Sequence, residues 1–187
     1  MAALKAHLRA EALSRRDALP EAERIAASAA IAERILALDL APGAVVSAFL
    51  PIRSEVDLRP TITALSARGH AIGLPIMRKP DLVFRVWTPG ADLVPLGFGT
   101  YGPGPEAAEV LPDVMLVPLS AFDRSCGRIG YGKAFYDLTI AGYHQNGRFP
   151  RLIGVAFSVQ SVEEVPIEPH DVRLHMVITE RDVVSPA

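Results

Sequence analysis

The 187-residue chain has a single cysteine, Cys126, so it forms no intramolecular disulfide and fits a reducing compartment. No apolar run approaches the roughly 18 residues that cross a membrane. The opening stretch, MAALKAHLRAEALSRRD, has no uninterrupted apolar core of the kind that marks a secretory signal. Glu11 and Asp17 set it apart from acid-poor transit peptides. The expectation is a cytoplasmic protein with no membrane partner. A basic excess is also missing: 19 Lys and Arg stand against 21 Asp and Glu, a formal charge of −2. That balance argues against nucleic acid as a partner, since general nucleic-acid binding needs a basic footprint. It leaves room for a local cationic pocket that takes a small anion. Internal repeats and low-complexity segments are absent.

Half the residues are hydrophobic, enough for a sizeable core, and the length fits one domain over 1–187. Residues 2–17, rich in Ala, Leu, Arg and Glu, favour helix. A second helix is expected over 20–38, with Pro20 at its start, Glu21 and Glu23 at the positive end of its dipole, and Ile25, Ala29, Ala32 and Leu36 on one face. Strands are expected at 44–50, 70–77, 82–87, 114–119, 151–157 and 174–180, and helices at 57–69 and 131–145. The Gly- and Pro-rich stretch 88–112 reads as one long loop. Strands alternating with helices imply an α/β fold with a mostly parallel sheet covered on both faces. Ligands of such sheets gather beyond the carboxyl ends of the strands, which singles out loops 51–57, 120–131 and 158–173.

Within the second of these, GRIGYGKAFYD (127–137) starts as a nucleotide phosphate loop does, with Gly127, four residues, Gly132 and Lys133. It then carries Ala134 where such a loop places the Ser or Thr that holds magnesium. Glycines let backbone amides converge on phosphate oxygens, and a following helix start adds a positive dipole end. Lys133 supplies a mobile charge and Arg128 a planar fork. The competing reading is a tight strand-to-helix turn with surface cations. Since alanine offers no ligand atom, a metal here needs oxygens from elsewhere. Asp137, four residues after Lys133, is a candidate ligand or an ordinary surface ion pair.

The longer stretch LVPLSAFDRSCGRIGYGKAFYD (116–137) resembles the signature of 5-formyltetrahydrofolate cyclo-ligases, also called methenyltetrahydrofolate synthetases. Pro118, Phe122, Asp123, Gly127, Arg128, Gly130, Gly132, Tyr136 and Asp137 match, while Ala134 and Phe135 replace a usual glycine and tyrosine. At the N-terminus KAHLR (5–9) is similar to that family's Lys-x-x-x-Arg, whose spacing puts Lys5 and Arg9 on one helix face. SAFLPIRSEV (47–56) and AFSVQSVEEVPIEPHDVRLHMVITE (156–180) extend the resemblance over nearly the whole chain.

The resemblance implies an α/β/α three-layer fold similar to the sugar-phosphate isomerase and CoA transferase enzymes. It implies ATP-dependent closure of 5-formyltetrahydrofolate to 5,10-methenyltetrahydrofolate, with Mg2+ as cofactor; a monomer is the expectation, though the sequence itself carries no signal of oligomeric state. It assigns ATP contacts to Lys5, Arg9, Arg128, Ile129, Gly130, Tyr131, Gly132, Lys133, Ala134, Phe135 and Tyr136, with Lys133 and Arg128 catalytic. It assigns folate contacts to Arg9, Leu50, Glu55, Tyr131, Gly132, Lys133, Ala134 and Phe135, with Glu55 on the pterin. It assigns magnesium to Asp137 and Asp171. His170, Gln160 and Cys126 receive no catalytic role, and His175 none at all. A noncatalytic nucleotide- or folate-binding homologue, an isomerase- or transferase-like enzyme and a phosphate-loop nucleotidase remain as alternatives.

Overall fold

A computed structural model describes the chain except Phe98, His170 and Ala187. In order, the described residues form α1 (Ala2–Asp17), α2 (Glu21–Leu36), β1 (Val45–Ser47), α3 (Arg59–Ala67), β2 (Ala71–Arg78), β3 (Asp81–Trp87), β4 (Val94–Gly97), β5 (Thr100–Gly102), β6 (Glu109–Val110), β7 (Val114–Pro118), β8 (Ala121–Phe122), β9 (Arg128–Ile129), α4 (Phe135–Gln145), β10 (Arg151–Val155), β11 (Met176–Ile178) and β12 (Val183–Val184). A single 3-10 turn, Ser158–Gln160, follows β10.

The main sheet runs β12-β11-β10-β7-β1-β2-β3-β6. Its centre, β11-β10-β7-β1-β2, is parallel. Both margins are antiparallel, with β12 on β11, β3 on β2 and β6 on β3. Side chains alternate between faces along a strand, and β7 shows how both faces become core. Val114 and Leu116 join Ile31 and Ile35 of α2 and Ile62 and Leu65 of α3. Met115 and Val117 join Ile140 of α4 on the opposite face. The result is helix, sheet, helix. Strands buried on both faces read as continuous apolar runs, as VMLVP does.

The expected strands 70–77 and 82–87 form an antiparallel hairpin, since only two residues separate β2 from β3. Two expectations are corrected. Loop 88–112 is not irregular throughout. It contains the β4–β5 ribbon, and β6 closes the sheet edge. Helix α4 begins at Phe135 rather than 131, after Gly132 (φ 86°) and Ala134 (φ 54°), both left-handed. Lys133 therefore precedes the helix and has no helical i,i+4 relation to Asp137.

Helix α1 belongs to neither face. Ala12 is fully buried against Ala121, Ile129 and Val165, with Leu8, Val162 and Ile167 around it. Arg15 donates to the carbonyls of Val159 (2.7 Å) and Ser161 (3.0 Å). The helix is thus fastened to the β8–β9 ribbon and the 158–167 segment, at the end of the sheet where β1, β7 and β10 finish.

Candidate active site

The buried stripe of α1 is cationic. Lys5, Arg9 and Arg16 share it with Leu8 and Ala12, at steps of three and four residues. Each cation reaches a different segment. Lys5 Nζ donates to Glu168 Oε2 (2.7 Å) and to Asp171 Oδ2. Burial opposes the Lys5 charge, but the two carboxylates outweigh it and raise its pKa. Arg9 Nε donates to the Gly130 carbonyl (2.6 Å). Arg16, with 1% of its surface exposed, donates from Nε to Ser54 Oγ (2.9 Å) and from Nη1 to the Tyr131 hydroxyl (2.8 Å).

The loop 120–134 is shaped by Asp123. Its carboxylate accepts from the amides of Ser125 (2.9 Å), Gly127 (3.0 Å) and Val165 (2.7 Å). A Cβ at Gly127 would sit 3.0 Å from Asp123 Oδ2, so glycine is what lets the turn close on that carboxylate. Residues 128–129 then pair with 121–122, and the Ile129 carbonyl accepts from Ser120 N (2.7 Å). The segment is a short ribbon followed by a left-handed bend. At Gly132 the bend passes close under the Arg9 guanidinium: a Cβ there would lie 3.5 Å from Nη2. Lys133 is exposed and makes no hydrogen bond or ion pair among the described residues.

Arg128 and Asp137 form a shielded pair, Nη2 to Oδ1 at 2.6 Å, with only 4% of the Arg128 side chain exposed. The same Oδ1 accepts from Val172 N (3.3 Å). Asp171 Oδ2 accepts from Glu168 N (2.8 Å) as well as from Lys5. Asp137 and Asp171 therefore stand on adjoining segments. No cluster of three or more metal-ligating side chains exists among the described residues. His170 lies outside the described residues.

Glu55, on the loop after β1, shows 6% side-chain exposure. Oε2 accepts from Ile52 N (2.9 Å) and Oε1 from the Tyr131 hydroxyl (2.6 Å). Arg16 Nη1 is 4.0 Å from Oε1. Burial raises the Glu55 pKa against those three stabilising contacts. Tyr131 is pushed up to about 12 by burial and by the Glu55 charge. Tyr136 is raised by burial, then by Glu55; its hydroxyl has no hydrogen-bond partner among the described residues. Leu50 packs against the core at the foot of the same loop.

Lys5, Arg9, Arg128, Gly130, Tyr131, Gly132, Asp137, Asp171 and Glu55 thus form one contact chain. Gln160 lies outside it. This side chain accepts from Phe157 N and donates to the carbonyls of Leu119 and Ser120, bolting the 3-10 turn to the end of β7. His175 Nδ1 accepts from Leu152 N (2.9 Å) and holds β10. Cys126 is buried and its pKa is raised by burial and by Asp123. Two residues in the cluster escaped sequence reasoning, Arg16 and Glu168. The signal for Arg16 was its place in the 5, 9, 12, 16 repeat. For Glu168 there was none, since its partner Lys5 is 163 residues away.

Fold and site together define an α/β protein whose strand-end loops and N-terminal helix bring paired cations and carboxylates together. The chain belongs to the 5-formyltetrahydrofolate cyclo-ligase family, whose profile matches residues 1–180. The cyclo-ligase of Mycolicibacterium smegmatis is 33% identical over 196 residues, 97% of this chain and 96% of the relative. The enzyme of Escherichia coli strain K12 is 33% identical over 141 residues, 72% of this chain and 76% of the relative. The solved structure of Aquifex aeolicus 5,10-methenyltetrahydrofolate synthetase superimposes with a TM-score of 0.83 at 28% identity, covering 97% of this chain and 92% of that one.

Proposed function

We propose that the protein closes 5-formyltetrahydrofolate to 5,10-methenyltetrahydrofolate at the expense of ATP, with release of ADP and phosphate. The observation that supports this reading is that α1 brings Lys5 to Asp171 and Arg9 to the Gly130 carbonyl, while the same bend carries Tyr131 to Glu55. In this reading the cations and the bend take the phosphates, and Glu55 keeps lone pairs for a pterin.

The chemical obstacle is a poor electrophile. The formyl carbon on N5 is stabilised by amide resonance, and its oxygen is a bad leaving group. Attack of the formyl oxygen on the γ-phosphorus expels ADP and leaves an iminium phosphate. The N10 lone pair then adds to that carbon, N10 loses its proton, and the carbon–oxygen bond breaks to release phosphate. No covalent nucleophile from the protein is needed, so positioning and charge stabilisation are its tasks. Lys5, Arg9 and Lys133 balance the phosphate charge. Arg128 braces Asp137 and adds a second fork. Gly130 and Gly132, with the backbone of buried Ile129, admit the phosphates close to the main chain, and Ala134, Phe135 and Tyr136 line the approach. Glu55 receives the pterin N–H groups, with Leu50 and Tyr131 alongside.

Asp137 and Asp171 suit magnesium, which takes one or two protein carboxylates and completes its shell with water and phosphate oxygens. When bound, the ion neutralises phosphate charge. Ala134 adopts φ 54°, ψ 12°, the conformation a glycine would take, so the backbone path survives the substitution. That weighs against a noncatalytic homologue.

The test is direct. Purified protein, 5-formyltetrahydrofolate and Mg-ATP should give the methenyl chromophore. A folded sample that binds both ligands and yields none would establish the noncatalytic alternative instead.

A further inference from the structure

Arg16 is the bulkiest fully buried side chain, and it is a cation. Shielding a guanidinium is unfavourable unless its donors are matched. Among the described residues its partners lie on two segments besides its own helix. Ser54 and Glu55 belong to the loop after β1, and Tyr131 to the bend before α4. The hydrogen bonds have a direction. Arg16 Nη1 donates into the Tyr131 oxygen, so the Tyr131 proton is free to point at Glu55 Oε1, 2.6 Å away. Ser54 Oγ, which receives Arg16 Nε, hands its own proton to Asp17. The relay leaves each Glu55 oxygen with one contact taken, by Tyr131 and by Ile52 N, and with lone pairs to spare.

We propose that Arg16 is a positioning residue of the folate site, holding Tyr131 and through it the Glu55 carboxylate in the geometry that receives a pterin. This rests on the proposed function for what occupies the site. The charged and titratable groups facing Glu55 are Arg16 with Asp17 behind it on α1, Tyr131 on the bend, and Tyr136 on α4 with Arg128 behind it. Of these, Arg16 is the cation whose charge acts on Glu55. Removing it takes away support for the ionised carboxylate, so protonation reaches Glu55 at higher pH. A neutral Glu55 turns one acceptor site into a donor, which faces the pterin N–H groups with a proton of its own.

The experiment measures the dissociation constant of 5-formyltetrahydrofolate by calorimetry across pH, for the wild type, Arg16→Met and Arg16→Lys, with Mg-ATP affinity in parallel. Arg16→Met should weaken folate binding by about tenfold or more, the scale of a lost charged hydrogen bond. Its acid limb should move to higher pH, and Mg-ATP affinity should stay within about twofold. Arg16→Lys should restore the acid limb but recover affinity only in part, because it keeps the charge and loses the fork. If Arg16→Met does not fold, Arg16→Lys decides alone, and wild-type folate affinity in it overturns the assignment. Equal weakening toward folate and Mg-ATP also overturns it, since a merely structural role would act that way. Wild-type protein that binds folate normally but forms no chromophore defeats the catalytic reading and leaves the role of Arg16 intact.

Discussion

At the scale of single residues, strain and charge make separable demands. Ala134 holds a left-handed conformation, which costs an L-residue roughly 1–2 kcal/mol, whereas glycine enters it freely. Glycine also loses about 0.5–1 kcal/mol more entropy on folding. Ala134→Gly should therefore stabilise the protein by about 0.5–1 kcal/mol, a gain of a few degrees in Tm for a chain this size. Thermal unfolding checks it, and a fall in Tm would mean that the methyl group packs usefully. Lys133 presents the opposite case. It is exposed and makes no hydrogen bond or ion pair among the described residues. Lys133→Ala should leave Tm within the small range of surface changes. Turnover should drop by about 10²–10³-fold, the usual loss when a charge-stabilising donor is removed. Near-normal kcat would remove Lys133 from the reaction. Asp171→Asn should shift the magnesium titration of turnover to higher concentration, and an unmoved titration would leave Asp171 as a partner of Lys5 only.

At the scale of elements, α1 explains both what the sequence disclosed and what it hid. Strands such as β7 and β10 are legible because burial on both faces writes an unbroken apolar run. The helices 2–17 and 20–38 carry propensity and periodicity of their own. β8, β9 and β12 have two residues each, too few for any period, and exist because tertiary partners supply their hydrogen bonds. The start of α4 was misplaced because Gly132 and Lys133 look like a helix entrance, while the left-handed bend there is a backbone property. The site was legible through its local signature, but Arg16 was hidden because arginine on a helix normally faces water. What buries it is the docking of α1 through Ala12. Ala12→Leu should overfill that contact, at about 1–3 kcal/mol in unfolding. It should also raise KM for both substrates, because Lys5, Arg9 and Arg16 shift together. A stability loss with both KM values unchanged would show that the cation stripe tolerates displacement of its helix.

At the scale of the whole molecule, the site is a meeting point of distant segments. Lys5 and Asp171 lie 166 positions apart, Arg9 and Gly130 121, Tyr131 and Glu55 76. The sheet makes this possible: β1, β7 and β10 are neighbours and all parallel, so the loops leaving them emerge side by side. α1 lies over the result and contributes no buried residue to the cores on either sheet face. Its attachment is to the ribbon, the 158–167 segment and the site itself. An element held mainly at its binding surface opens more readily than the sheet does. Ligand that binds only the assembled site stabilises it by mass action, by about 2.7 kcal/mol at a hundredfold excess over Kd. Amide hydrogen exchange should therefore be faster in α1 than in β7 and β10 of the free protein. A nonhydrolysable Mg-ATP analogue should slow exchange in α1 and in residues 168–172 together, because Lys5, Glu168 and Asp171 are one ionic cluster. Protection confined to the 130–137 segment would mean that the nucleotide is held by the ribbon alone, with the N-terminal helix a bystander to its phosphates.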